Sequence, residues 1–158
     1  MYRAVLPAMV VVGATSAALM PAAAHAAGGV QFASDVFVER FQPVPGGRTA
    51  RILERADQLR PGDRVIFVVN WSGRKDGGFT VTNPLPRTIA FAGATDETQE
   101  VSVDGGRTWG ALEALMVRDA AGRARPAYPQ EVTHLRWRIP TPQALTGTGQ
   151  MTWRGVVR

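Results

Sequence analysis

From Gln31 almost to the C-terminus the chain alternates apolar and polar residues with a period of two, cut into short pieces by Gly and Pro. No other feature constrains the fold as tightly. An amphipathic helix needs apolar residues three and four apart, whereas alternation puts every second side chain on one face of a strand. Arg64 to Trp71 is the clearest strand. Val65, Phe67, Val69 and Trp71 share one face, and Ile66 and Val68 make the other face apolar too. That pattern predicts a central strand covered on both sides near its start.

The other segments read similarly. Gln31 to Arg40 is strand-like, Gln42 to Gly47 is a turn, and Arg48 to Arg55 answers as a hairpin partner. Arg60-Pro61-Gly62-Asp63 is a second turn. Phe79 to Asn83 is extended and stops at Pro84-Leu85-Pro86, because proline cannot donate to a ladder. Thr88 to Ala92, Glu100 to Val103, Thr108 to Leu112, Ala114 to Arg118, Thr133 to Ile139 and Gln150 to Val157 complete the set, with a bulge expected at Gly155. Leu53 to Leu59 and Gly110 to Met116 have helix-compatible composition but no convincing caps. About eight or nine short strands at roughly 10-residue spacing predict one all-β domain, an antiparallel immunoglobulin-like β-sandwich. Parallel α/β architecture is disfavoured, because no strand alternates with a long helix.

Residues 1–26 read as a secretory signal peptide. Arg3 opens it, an apolar stretch runs from Ala4 to Met20, and Pro21 breaks it. Ala24-His25-Ala26 supplies the small-x-small cleavage pattern, with Ala27 as the first mature residue. An uncleaved anchor is the rival reading, but the apolar core is short for a bilayer span and holds Pro7 and Gly13. The expectation is a single domain over 27–158, exported to the periplasm or the cell surface, with no transmembrane span in the mature chain.

Composition narrows the chemistry. The chain has no cysteine, which excludes disulfides, thiolate metal sites and cysteine nucleophiles. Its formal charge is +5, or +4 without Arg3, and Lys75 is the only lysine beside seventeen arginines. The arginines alternate with apolar residues and read first as a solvated sheet face. A sharper reading is attraction to anionic surfaces such as lipopolysaccharide or acidic glycans. No nucleic-acid motif accompanies them, and no nucleic-acid partner is expected.

Two segments carry a family resemblance. Pro61-Gly62-Asp63 leads into the alternating strand Arg64 to Val69, and Phe79 to Asn83 precedes a Pro-x-Pro stop. This order resembles the bacterial conserved-repeat domain of unknown function, the eleventh family of its series, found in secreted and cell-surface proteins. Trp137 through Gly149 to Trp153 is similar to its last two strands. The likeness spans Asp57 to Arg158. Gly73 and Asn83 stand where such domains often carry Asn and Asp. The resemblance implies an immunoglobulin-like sandwich with a structural or adhesive role, and it brings no catalytic residue.

The sharpest local motif is Ser102-Val103-Asp104-Gly105-Gly106-Arg107-Thr108-Trp109, an Asp box. Asp104 can accept backbone N–H groups, Gly106 can take positive φ, Ser102 and Thr108 can tie the legs, and Trp109 can pack beneath. Asp boxes recur in sialidase-like propellers, but this chain has room for about two four-stranded blades. One copy therefore reads as a structural hairpin. Ser34, Ser72 and Ser102 sit in no nucleophile motif, and His134 has no metal-spaced partner. Asp96, Glu97 and Glu100 read as a solvated run. Glu97 with Glu113 or Glu131 could form a glycosidase pair only with the right geometry. Trp71 and Trp109 are candidate sugar-stacking residues, with core burial as the competing role. The leading expectation is an exported, non-enzymatic structural or interaction module, without cofactor, engaging envelope proteins or cell-surface glycans. A carbohydrate-binding module is the alternative, and a small glycan-active hydrolase comes third.

Overall fold

The structure is a computed structural model that describes residues 29–95 and 98–158. The signal segment, with Ala24, Ala26 and Ala27, lies outside the described residues, as do Asp96 and Glu97. The fold is an all-β antiparallel sandwich. Its ten strands are β1 (Gln31–Val44), β2 (Arg48–Arg55), β3 (Arg64–Ser72), β4 (Phe79–Pro84), β5 (Ile89–Ala94), β6 (Glu100–Ser102), β7 (Met116–Arg118), β8 (Ala124–Pro126), β9 (His134–Ile139) and β10 (Thr148–Val157). A five-stranded sheet in the order β2-β1-β3-β10-β5 faces a three-stranded sheet in the order β4-β9-β6, and β7-β8 forms a small hairpin.

The doubly apolar strand is central, as its sequence predicts. β3 lies between β1 and β10, with Val65, Phe67, Val69 and Trp71 buried inward and Ile66 buried on the outer face. Phe67 stands directly opposite Trp153 in the register, and their rings stack at 3.9 Å with planes 3° apart. From the second sheet Val81, Val101, Leu135, Trp137 and Ile139 close the core. Full burial of a large apolar side chain contributes roughly 1.5–3 kcal/mol, so these few residues dominate the packing energy.

Three expectations need correction. The turn after β1 is shorter than predicted: Gln42, Pro43 and Val44 stay paired with β2, and only residues 45–47 turn. Thr108 to Leu112 is not a strand, since the Asp-box segment closes through a single Val101–Gly110 bridge. The helix lies not in the helix-compatible stretches Leu53 to Leu59 or Gly110 to Met116 but between the last two strands, as α1 (Thr141–Thr146). It has a proline in its first turn and ends at Gly147 with φ of +83°, the usual division of those two residues between helix ends. Its Ala144 is fully buried. The bulge at Gly155 is present, but the extra residue belongs to β5. Arg154 pairs with Gly93 and Gly155 with Phe91, so Ala92 is skipped.

Candidate functional site

The Asp box forms a loop braced by side chains. The Asp104 carboxylate accepts from the backbone N–H of Arg107 at 2.9 Å and of Thr108 at 3.0 and 3.1 Å. It also accepts from the hydroxyls of Thr108 at 2.7 Å and Ser102 at 2.8 Å. The Ser102 Oγ in turn accepts from the N–H of Gly106 at 2.8 Å. Gly105 and Gly106 both adopt positive φ, +78° and +89°, which residues with a Cβ rarely take. The Thr108 N–H, the Thr108 hydroxyl and the Ser102 hydroxyl hold Asp104 well below the usual carboxylate range.

This loop is fastened to Thr133, the residue that leads into β9. Thr133 donates from its backbone N–H to the Ser102 carbonyl at 2.8 Å, and its hydroxyl donates to the same oxygen at 3.1 Å. That hydroxyl accepts from the Gly105 N–H at 3.1 Å and lies 3.0 Å from Nδ1 of His134. The Thr133 hydroxyl thus joins the Asp-box turn, the Ser102 carbonyl and the His134 ring. His134 therefore has a structural partner.

Of the two candidate stacking tryptophans, Trp71 is buried and Trp109 is half-buried. Trp71 is 2% exposed and lies against Phe79 and the Cα of Gly149. It is a core residue and offers no face to a sugar. Trp109 donates its indole N–H to the Gly106 carbonyl at 2.9 Å, and the Arg136 guanidinium sits 4.3 Å above its ring. Arg136 is itself held by Glu100. Tyr128, which the sequence reading passes over, is exposed instead. Arg125 packs on its ring at 4.4 Å and grips Glu131 with two hydrogen bonds of 2.8 and 2.7 Å. The Arg125 bonds, and then the Tyr128 N–H, push the Glu131 carboxyl down to about 2.

Among the described residues, five carboxyls are held below their ordinary range. Besides Asp104 and Glu131 they are Asp63 (bonded by Arg40), Glu100 (by Arg138 and Arg136) and Asp119 (by the Arg123 backbone N–H). Glu131, one member of the candidate glycosidase pairs, is thus shifted opposite to a glycosidase acid. No group of three or more metal-ligating side chains occurs among the described residues, and no described helix is long and apolar enough to cross a membrane.

A pair of exposed apolar side chains lies elsewhere, on one hairpin. β1 leaves β3 after Val38, and its last six residues pair only with β2. The two strands project as an arm. Asp63 anchors its base by accepting from Arg40 at 2.6 Å while capping its own turn through the Arg60 N–H at 2.9 Å. Phe41 and Leu53 stand on one face of this arm at 56% and 48% exposure. The sequence shows Leu53 only as an apolar residue of the hairpin partner strand, and Phe41 falls between the first strand and the turn at Gln42. No family model, curated protein or solved structure matches the chain.

Proposed function

We propose that the chain is an exported, non-enzymatic interaction module of the periplasm or cell surface, which engages its partner through the outer face of the five-stranded sheet and the β1–β2 arm. The observation that carries this reading is the exposure of Phe41 and Leu53 on one face of a projecting, anchored hairpin. Large apolar side chains grouped on a projecting surface mark interaction sites more often than scattered ones. The inward-turned bonds of Asp104 and the arginine-bound carboxylates support a binding role over hydrolysis. The turn and strand order of Pro61 to Asn83 supports placing the domain beside the conserved-repeat domains of secreted proteins.

Photo-crosslinking tests this directly. A crosslinking amino acid at position 41 of the exported protein is expected to give a discrete adduct in the envelope fraction. The same residue at position 87, also exposed but outside the arm, is expected to give none. Absence of the arm adduct, or turnover of a glycan by the purified protein, would overturn the reading. Export itself predicts Ala27 at the N-terminus of the exported form, as read by mass spectrometry; recovery of an intact Met1 form from membranes would contradict it.

A further inference from the structure

On the outer face of the five-stranded sheet a basin of about 400 Å³ is lined by Glu39, Arg51, Arg64, Arg154, Val156 and Ala92. The register explains why these residues meet. Val156 stands opposite Arg64, and Arg154 stands opposite Ile66. Arg64 and Arg154 are therefore diagonal neighbours on adjacent strands, a spacing of about 7–8 Å. Glu39 and Arg64 each lie one residue beyond the last β1–β3 pair, Val38–Val65. The bulge adds Ala92, whose small side chain leaves the far side open.

The charges are unbalanced. Glu39 is almost wholly buried and ion-paired with Arg51. Beside them Asp35 binds Arg55 at 2.9 Å. Arg64 and Arg154 have no acidic partner among the described residues, and both are exposed. The basin thus sets three guanidinium groups against one carboxylate, an excess of two positive charges. Two unpaired arginines reaching over one basin repel each other until an anion lies between them. Guanidinium forks match the oxygens of a phosphate bidentately, and such charge-assisted bonds are about twice as strong as neutral ones.

We infer that this basin is a binding site for a phosphate-type oxyanion, held between Arg64 and Arg154. It takes either a free phosphoester or the phosphate of an anionic lipid headgroup. The site rests on the reading of the outer sheet face as the binding surface, and it gives that face a ligand chemistry. Arg51 serves to neutralise Glu39, so that the carboxylate does not repel the anion.

The test is a titration of the folded protein with inorganic phosphate against chloride at constant ionic strength, followed by amide and arginine side-chain NMR. Saturable shifts are expected at Arg64, Val65, Arg154, Gly155 and Val156. Arg64→Gln with Arg154→Gln is expected to weaken binding about tenfold or more, whereas Arg87→Gln with Arg107→Gln leaves it unchanged. Flotation with phosphatidic acid vesicles, but not with phosphatidylcholine vesicles, identifies a headgroup as the source. Phosphate shifts without flotation identify a soluble phosphoester. Shifts scattered over the whole chain, or retained in the Arg64→Gln/Arg154→Gln protein, would overturn the site whatever position 41 crosslinks to. Intact phosphate shifts with no adduct from position 41 would remove the module reading and leave the oxyanion site standing.

Discussion

Gly106 holds a φ of +89°, and a Cβ there would meet the Trp109 ring at 3.4 Å. Valine at this position must adopt a backbone that β-branched residues resist, which costs about 1–3 kcal/mol. Asp104→Ala removes one carboxylate that four donors in the same loop share. Both variants are expected to lower the melting temperature by calorimetry, while any glycan binding in the folded fraction survives. An Asp104→Ala protein with an unchanged melting temperature but no glycan binding would make the Asp box a ligand site. These residues were legible in the sequence because Asp-box chemistry is local: acceptor, glycines and hydroxyls lie within eight positions. The fate of Trp71 was not. Whether an alternating tryptophan faces core or solvent depends on what packs opposite, and here the bare Cα of Gly149, a partner almost eighty positions away, receives its ring.

Among elements, the sheet edges show how charge substitutes for cover. The Pro129–Glu131 turn packs on edge strand β5, whereas β2 leaves its edge open and carries Arg48, Arg51 and Arg55. Charged edges discourage pairing with a second copy. The β5 side depends partly on ionisation, since Glu131 braces the turn through Arg125 and the Tyr128 N–H. A carboxyl depressed in the folded state stabilises it above its unfolded value and loses that contribution as pH falls through the folded value. For Glu131 the window runs from its ordinary 4.5 down to about 2. Asp104, Asp63, Glu100 and Asp119 act in the same direction. Urea midpoints are therefore expected to hold from neutral pH to about pH 5 and to fall below it; a midpoint that rose on acidification would contradict these bonds. Most strands were legible from period two, β8 being the exception because its three residues read as turn and loop, and β3 was placed at the centre by its second apolar face. Helix α1 was hidden because six residues are too few for an apolar period, although Pro142 and Gly147 mark its ends.

For the whole molecule, stability rests on the seam between the two sheets, where Phe67 and Trp137 are 5% and 0% exposed. Truncating either to Ala is expected to cost about 3–5 kcal/mol by denaturant unfolding. A loss under about 1 kcal/mol would place that residue at the surface. Fold class follows from the sequence because alternation and turn residues act locally. The arm does not, because it exists only where β1 outruns β3, and neither strand's own residues encode that difference in length. The central claim is that this arm binds and the Asp box holds the fold together. It is tested most directly by measuring envelope retention and melting temperature on the same proteins. Phe41→Ser with Leu53→Ser is predicted to leave the melting temperature near that of the wild type and abolish retention, since exposed substitutions change stability by about 0.5 kcal/mol or less. Asp104→Ala is predicted to lower the melting temperature and keep retention in the folded fraction. The reverse pattern, retention surviving loss of Phe41 and Leu53 but lost with Asp104, would contradict the account.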